Sequence, residues 1–99
     1  MIRIMTVCGM GLGSSLLASM TAERALKAAG YSTSQFRIDT SDLGSARQGD
    51  VDLYLTTNEF RTDIESWGRP VVVVTNVFDE KEMSEQLVPV FERTVADSQ

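Results

Sequence analysis

Four consecutive valines, Val71-Val72-Val73-Val74, limit the fold of this 99-residue chain more than any other stretch. A strand with one face in water alternates apolar and polar residues, whereas a run that is β-branched and apolar at every position has no polar side to expose. Such a run suits a strand buried on both faces, as in parallel sheets covered by helices on either side. Two other apolar runs read as strands: Met1 to Val7, and Val51-Asp52-Leu53-Tyr54-Leu55-Thr56. The segment Ser34-Gln35-Phe36-Arg37-Ile38-Asp39 alternates weakly, with Phe36 and Ile38 on one face, and predicts a short strand at a sheet edge.

Helical stretches separate these runs. Ser14 to Ala29 is rich in Ala, Leu, Met, Glu and Lys, with Gly30 as a stop. Asn58 to Trp67 predicts a short helix with Gly68 after it. Asp79 with Glu82 three residues on resembles a capping box, and Met83, Leu87, Val90 and Phe91 continue a helical apolar stripe. Pro89 removes a backbone donor within that stripe and predicts a kink or break near Leu87 to Val88, while Asp97 to Gln99 should fray. Thr40 to Gly49 turns to Ser, Asp, Gly and Gln, a loop with one short helical turn capped by Ser41 or Asp42.

Strands alternating with helices along the whole chain predict an α/β fold. The expected architecture is a single three-layer domain over residues 1–99, with helices on both faces of a four-stranded parallel sheet. A second core would leave each half too small to bury much apolar surface. A flavodoxin-like strand order, 2-1-3-4, puts the C-terminal ends of the first and third strands side by side at the switch point, where α/β proteins bind ligands.

Charge and composition remove several function classes. A formal net charge of -5, with nine scattered basic residues, argues against binding nucleic acid or an anionic membrane surface. No apolar run approaches a membrane span and no secretory signal is read at the N-terminus, so direct membrane insertion is not expected and a cytoplasmic location is. One cysteine and no histidine leave no means of building a disulfide, a cysteine zinc site or a histidine-based triad within the chain. Neither a metal nor a cofactor is expected.

The single cysteine, Cys8, stands where the first strand breaks into Gly9-Met10-Gly11-Leu12-Gly13-Ser14-Ser15. A thiol there faces several backbone N–H groups and the dipole of the following helix, which lower a thiol pKa and hold an anion. Glycines at 9, 11 and 13 let the backbone curl with positive φ and approach a dianion, and Ser14 and Ser15 add hydroxyl donors. Free cysteines more often pack as small hydrophobes, but packing alone gives no reason for the glycine loop.

Cys8-Gly9-Met10-Gly11-Leu12-Gly13-Ser14-Ser15-Leu16 after a short apolar strand resembles the phosphorylation loop of the IIB components of the bacterial phosphoenolpyruvate-dependent sugar phosphotransferase system. Within that family, which has a lactose/cellobiose-like IIB fold, the loop is most similar to the ascorbate-type branch with its Cys-Gly-x-Gly-x-Gly-Ser-Ser form. The resemblance implies a phosphoryl relay. Cys8 would take a phosphoryl group from a phosphohistidine on a IIA partner and pass it to a sugar, ascorbate or a related sugar or polyol, bound by a membrane IIC component. It further implies that the amides of Gly9, Met10, Gly11, Leu12, Gly13, Ser14 and Ser15 hold the phosphate, and that the chain is peripherally associated with the transporter. The missing histidine then belongs to the donor.

Thr56, Thr57 and Asn58 end the third strand, and Thr75 and Asn76 the fourth; as polar residues on the same rim they border the site or a docking face, or else serve as turn and cap residues. Phe60, Trp67 and Phe78 are core or partner-facing. Arg61 and Arg69 are ordinary surface residues or reach a phosphate.

Two rival readings come from other classes. Low-molecular-weight tyrosine phosphatases resemble this architecture, but their loop ends in arginine where this chain has Ser14, and no Asp-Pro pair is present to protonate a leaving group. A nucleotide-binding module would use Gly9-x-Gly11 after a strand and Asp39 as a ribose partner, yet position 14 is not glycine.

Overall fold

The computed structural model describes residues 1–7, 12–41 and 51–97, with residues 12–15 described by their backbone. In chain order the elements are β1 (Ile2–Val7), α1 (Leu12–Ala28), β2 (Phe36–Thr40), β3 (Leu53–Thr56), a 3₁₀ turn (Asn58–Phe60), α2 (Arg61–Glu65), β4 (Val71–Val73) and α3 (Glu80–Asp97). The four strands form one parallel sheet in the order β2-β1-β3-β4. The expected α/β fold and strand order are therefore observed, with β2 at an edge.

Register follows from which side chains must share a face. Ile4 pairs with Ile38 on one side and Leu53 on the other, and Leu55 with Val72. Ile2, Ile4, Leu53, Leu55, Val72 and Val74 bury against Ala18, Ala22, Ala25 and Leu26 of α1 and Met83, Leu87 and Phe91 of α3. Small residues on α1 let that helix sit close to the sheet, and the larger ones on α3 fill the remaining space. Phe91 meets Tyr31 and Phe36 edge-on, with ring centroids 4.7 and 6.0 Å away. The opposite face carries a smaller cluster, Val7, Val51, Tyr54 and Ile64 of α2, with Trp67 edge-on to Tyr54 at 5.2 Å.

The helix ends follow the chemistry of their sequence. Gly30 has φ +101, and with it the Gly30 N–H donates to the Lys27 carbonyl and the Tyr31 N–H to that of Leu26, the Schellman closure of α1. Gly68, at φ +80, turns the chain after Trp67. Asp79 caps α3: its Oδ1 accepts from the N–H groups of Lys81 at 3.0 Å and Glu82 at 3.2 Å.

Four expectations need correction. Val72 and Val74 are buried, but Val71 and Val73 are only partly so, because β4 is the outer strand and its flank is open. The helix expected from Asn58 to Trp67 is a 3₁₀ turn followed by the five residues of α2. α1 starts at Leu12, two residues early, so Gly13 lies in its first turn with a helical backbone rather than the positive φ expected of it. α3 runs unbroken through Pro89; the carbonyl left without its donor belongs to Glu85, and both residues are exposed, so solvent can satisfy it. The loop expected from Thr40 to Gly49 lies outside the described residues from position 42 onward.

Candidate functional site

The C-terminal rim of the sheet is built around the ends of β1 and β3. The last rung of their ladder pairs Val7 with Thr56. Thr56 is fully buried, and its Oγ1 donates to the Val7 carbonyl at 2.6 Å. One step back, buried Thr6 ties three elements: its Oγ1 lies 3.0 Å from Ser19 Oγ on α1 and donates to the Asp39 carbonyl at 3.2 Å, while the Thr6 carbonyl accepts from Ser41 N–H. A polar residue within an apolar strand was the sequence signal for this strut. Together these bonds fix the point at which the chain leaves β1 toward Cys8.

α1 opens four residues beyond Cys8 in sequence. Leu12, Gly13, Ser14 and Ser15 make up its first turn, so their N–H groups have no acceptor within the helix, and the positive end of the helix dipole falls at this rim. Its first turn holds no acidic residue to neutralise that end. Cys8, Gly9, Met10 and Gly11, and the side chains of Ser14 and Ser15, lie outside what is described.

The five rim residues expected from sequence all lie at this end of the sheet, with different occupations. Thr56 is taken up by Val7. Thr75 donates through both N–H and Oγ1 to the carboxylate of Glu82, which also accepts from Asn76 N–H at 2.9 Å. Those bonds, led by the Thr75 hydroxyl and followed by the Asn76 and Thr75 amides, hold the Glu82 carboxyl below the usual glutamate range. Asn76 Oδ1 accepts from Phe78 N–H, closing an Asx turn. Asn58 is exposed and lines an open groove of about 400 Å³ along the outer flank of β4, shared with Arg61, Glu65 and Glu82. Thr57 differs from all of these: it precedes the 3₁₀ turn without capping it, and its Oγ1 is buried with no hydrogen-bond partner among the described residues.

Glu82 is the residue that sequence reasoning placed wrongly. The capping-box spacing assigned its carboxylate to the N–H of Asp79, but that group donates to the Asn76 carbonyl and the carboxylate reaches the turn after β4 instead. Trp67 and Phe60 are partly buried in the second cluster, whereas Phe78 is 64% exposed beside Asn76. Arg61 pairs with Glu65 at 3.2 Å, Arg69 is exposed, and Asp39 pairs with Arg37 at 3.2 Å. No described helix is long and apolar enough to cross a membrane.

A rigid strand end at a switch point, followed by a short glycine-rich connection into an uncompensated helix N-terminus, can hold an anion. The comparisons with known proteins agree with this architecture. The lactose-specific IIB component domain of the phosphoenolpyruvate:carbohydrate phosphotransferase system from Streptococcus pneumoniae superimposes with a TM-score of 0.63 at 16% identity, covering 92% of this chain and 95% of that one. A search among curated proteins finds no match. The family model for the lactose/cellobiose-specific IIB subunit of the phosphotransferase system matches residues 3–88, and the chain belongs to that family.

Proposed function

We propose that the chain works as one IIB domain that carries a phosphoryl group on Cys8 during sugar uptake. The observation that carries this reading is the family match over residues 3–88 in a chain whose single cysteine stands between β1 and α1. The Cys8 thiolate attacks the phosphorus of a phosphohistidine on a IIA protein. The S–P bond forms as the N–P bond breaks, and the imidazole nitrogen regains its electron pair and takes the proton that the thiol gave up. A sugar hydroxyl at the membrane IIC component then attacks phosphorus. The O–P bond forms, the S–P bond breaks, and the hydroxyl proton restores the thiol.

Transfer of this kind depends on orientation and on donors to the phosphoryl oxygens more than on acid-base groups. The amides of Gly9 to Ser15 supply such donors, and Ser14 and Ser15 add hydroxyls. A chain without histidine suits this role, because the donor brings its own. The domain acts in the cytoplasm, docked on the transporter. The Cys-Gly-x-Gly-x-Gly-Ser-Ser form of residues 8–15 favours ascorbate or a related sugar or polyol as acceptor over the disaccharides named by the family model.

The test is peptide mapping after incubation with phosphoenolpyruvate, the general phosphotransferase proteins and a phosphorylated IIA protein. One phosphoryl group on Cys8, absent in Cys8→Ser, is expected, because a hydroxyl without a base is a far weaker nucleophile at neutral pH. An unlabelled wild type beside a demonstrably phosphorylated IIA, or a Cys8→Ser variant that still carries label, overturns the reading. Uptake assays with ascorbate against lactose and cellobiose decide the sugar.

A further inference from the structure

Among the described rim residues, half-buried Thr57 is the one whose hydroxyl oxygen is shielded from solvent and uncommitted. Its Oγ1 has no hydrogen-bond partner among the described residues, which leaves the desolvation of the hydroxyl uncompensated. The commonest use of threonine at this position is to cap the following turn, and Thr57 does not do so. Its neighbours are spoken for: Thr56 holds Val7, and Thr75 holds Glu82. A hydroxyl that neither solvent nor any described residue satisfies, unlike the side chain of solvent-facing Asn58, asks for a ligand.

The sheet says where that hydroxyl sits. Thr57 keeps an extended backbone, φ -105 and ψ 174, so the alternation of β3 continues through it. Leu53 and Leu55 face α1 and α3, Tyr54 faces α2, and Thr57 therefore falls on the α1 side. The ladder pairs Thr6 with Leu55 and Val7 with Thr56, so Thr57 stands one rung past Val7. Thr6 also marks the level of Ser19 on α1. Two strand residues advance about 6–7 Å, the length of four to five helical residues, so Thr57 is level with the first turn of α1.

We infer that the Thr57 hydroxyl is held in reserve for the phosphoryl group of phosphorylated Cys8, to which it donates a hydrogen bond. This rests on the proposed function above. In the resting protein the group is a small liability; in the loaded protein it meets a dianion and forms a charge-assisted bond across from the amides of α1. Thr57 thus acts as a positioning residue that favours the loaded state from the β3 side, whereas the first-turn amides of α1 act from the helix side.

The experiment measures the phosphoryl-exchange equilibrium between a phosphorylated IIA protein and this chain, for wild type, Thr57→Val and Thr57→Ser, with the Tm of each unphosphorylated protein alongside. Thr57→Val should shift the equilibrium toward IIA by about tenfold or more, since bonds to charged groups are the stronger ones. Its Tm should hold or rise, because an unpaired buried hydroxyl has been replaced by a methyl. Thr57→Ser should keep the wild-type equilibrium. An unchanged equilibrium in Thr57→Val overturns the inference, as does a Tm that falls in Thr57→Val, which would mark a structural hydroxyl. A wild type that takes no phosphoryl group on Cys8 overturns the proposed function and this inference with it, whereas a labelled wild type with an indifferent Thr57→Val overturns the inference alone.

Discussion

Two strands of this sheet end in the same dipeptide, Thr57-Asn58 after β3 and Thr75-Asn76 after β4, and the two copies are used in opposite ways. After β4 the threonine hydroxyl and the asparagine side-chain oxygen are both engaged: Thr75 and the Asn76 amide bind Glu82, Asn76 Oδ1 closes on Phe78, and Asp79 caps α3. After β3 neither side chain bonds to any described residue: the threonine hydroxyl oxygen is shielded from solvent, and the asparagine is exposed. The residue types do not make this difference. A long helix whose first-turn Glu82 reaches back to the turn follows the second copy, whereas the 3₁₀ turn and five helical residues after the first carry Glu59, Asp63 and Glu65, none of which bonds to the Thr57 hydroxyl. The hydroxyl after β3 is left unpaired because no described residue reaches it, and that is the position we infer to be reserved for a ligand.

The comparison is sharpest between the neighbours Thr56 and Thr57. Thr56→Val strips a donor from the buried Val7 carbonyl, at 2.6 Å, and should cost about 1–3 kcal/mol. For a chain of this size each kcal/mol lowers Tm by about 4–8 °C. Thermal melts of Thr56→Val and Thr57→Val should therefore move in different directions, the first clearly down and the second level or up. Two equal falls would mean that both hydroxyls are structural, and the contrast between bonded and reserved groups would be lost.

Asp79→Ala tests the other copy. Losing the bonds to Lys81 and Glu82 uncaps α3, and caps of this kind are worth about 1 kcal/mol. Tm should fall by several degrees while phosphorylation of Cys8 is unchanged, since the turn after β4 is bonded to itself. A phosphorylation defect with an intact melt would show that this turn also serves the transferred group.

Much of this organisation was legible in the sequence, and the rest was hidden for identifiable reasons. Gly30, Gly68 and Asp79 announced helix ends because each supplies a local conformation or bond that needs nothing from the tertiary fold. The parallel sheet followed from the alternation of strands and helices, and its order from a flavodoxin-like arrangement of them. The valine run misled about burial because whether a strand is central or outer depends on its neighbours, and β4 has only one. Pro89 misled because its cost depends on whether the freed carbonyl faces water. The sequence marked Thr56, Thr57, Asn58, Thr75 and Asn76 as one polar set; their division into bonded and unbonded groups depends on tertiary partners, the Val7 carbonyl for Thr56 and the Glu82 carboxylate, seven residues from Thr75, for Thr75 and Asn76. Cys8 and its glycines stay a sequence-based assignment, since residues 8–11 lie outside the described structure.

The smallest expected effect is an acid dependence set by Glu82. Its carboxyl is held below the ordinary range chiefly by the Thr75 hydroxyl, then by the Asn76 and Thr75 amides. The unfolded chain therefore binds this proton more readily than the folded one, and stability rises with pH through the interval between the two values. The contribution is complete above the ordinary glutamate value of about 4.3 and is lost as pH falls through the lowered folded value. Because the carboxylate sits near solvent, its worth stays under about 1 kcal/mol. Melts of wild type and Glu82→Gln from about pH 6 to about pH 3 isolate it, since the amide cannot titrate over that range. The wild type should lead at the upper end, and its lead should shrink toward the lower. A lead that stayed constant or grew on acidification would mean that the carboxylate is not what holds the turn after β4, and the contrast with the turn after β3 would need another cause.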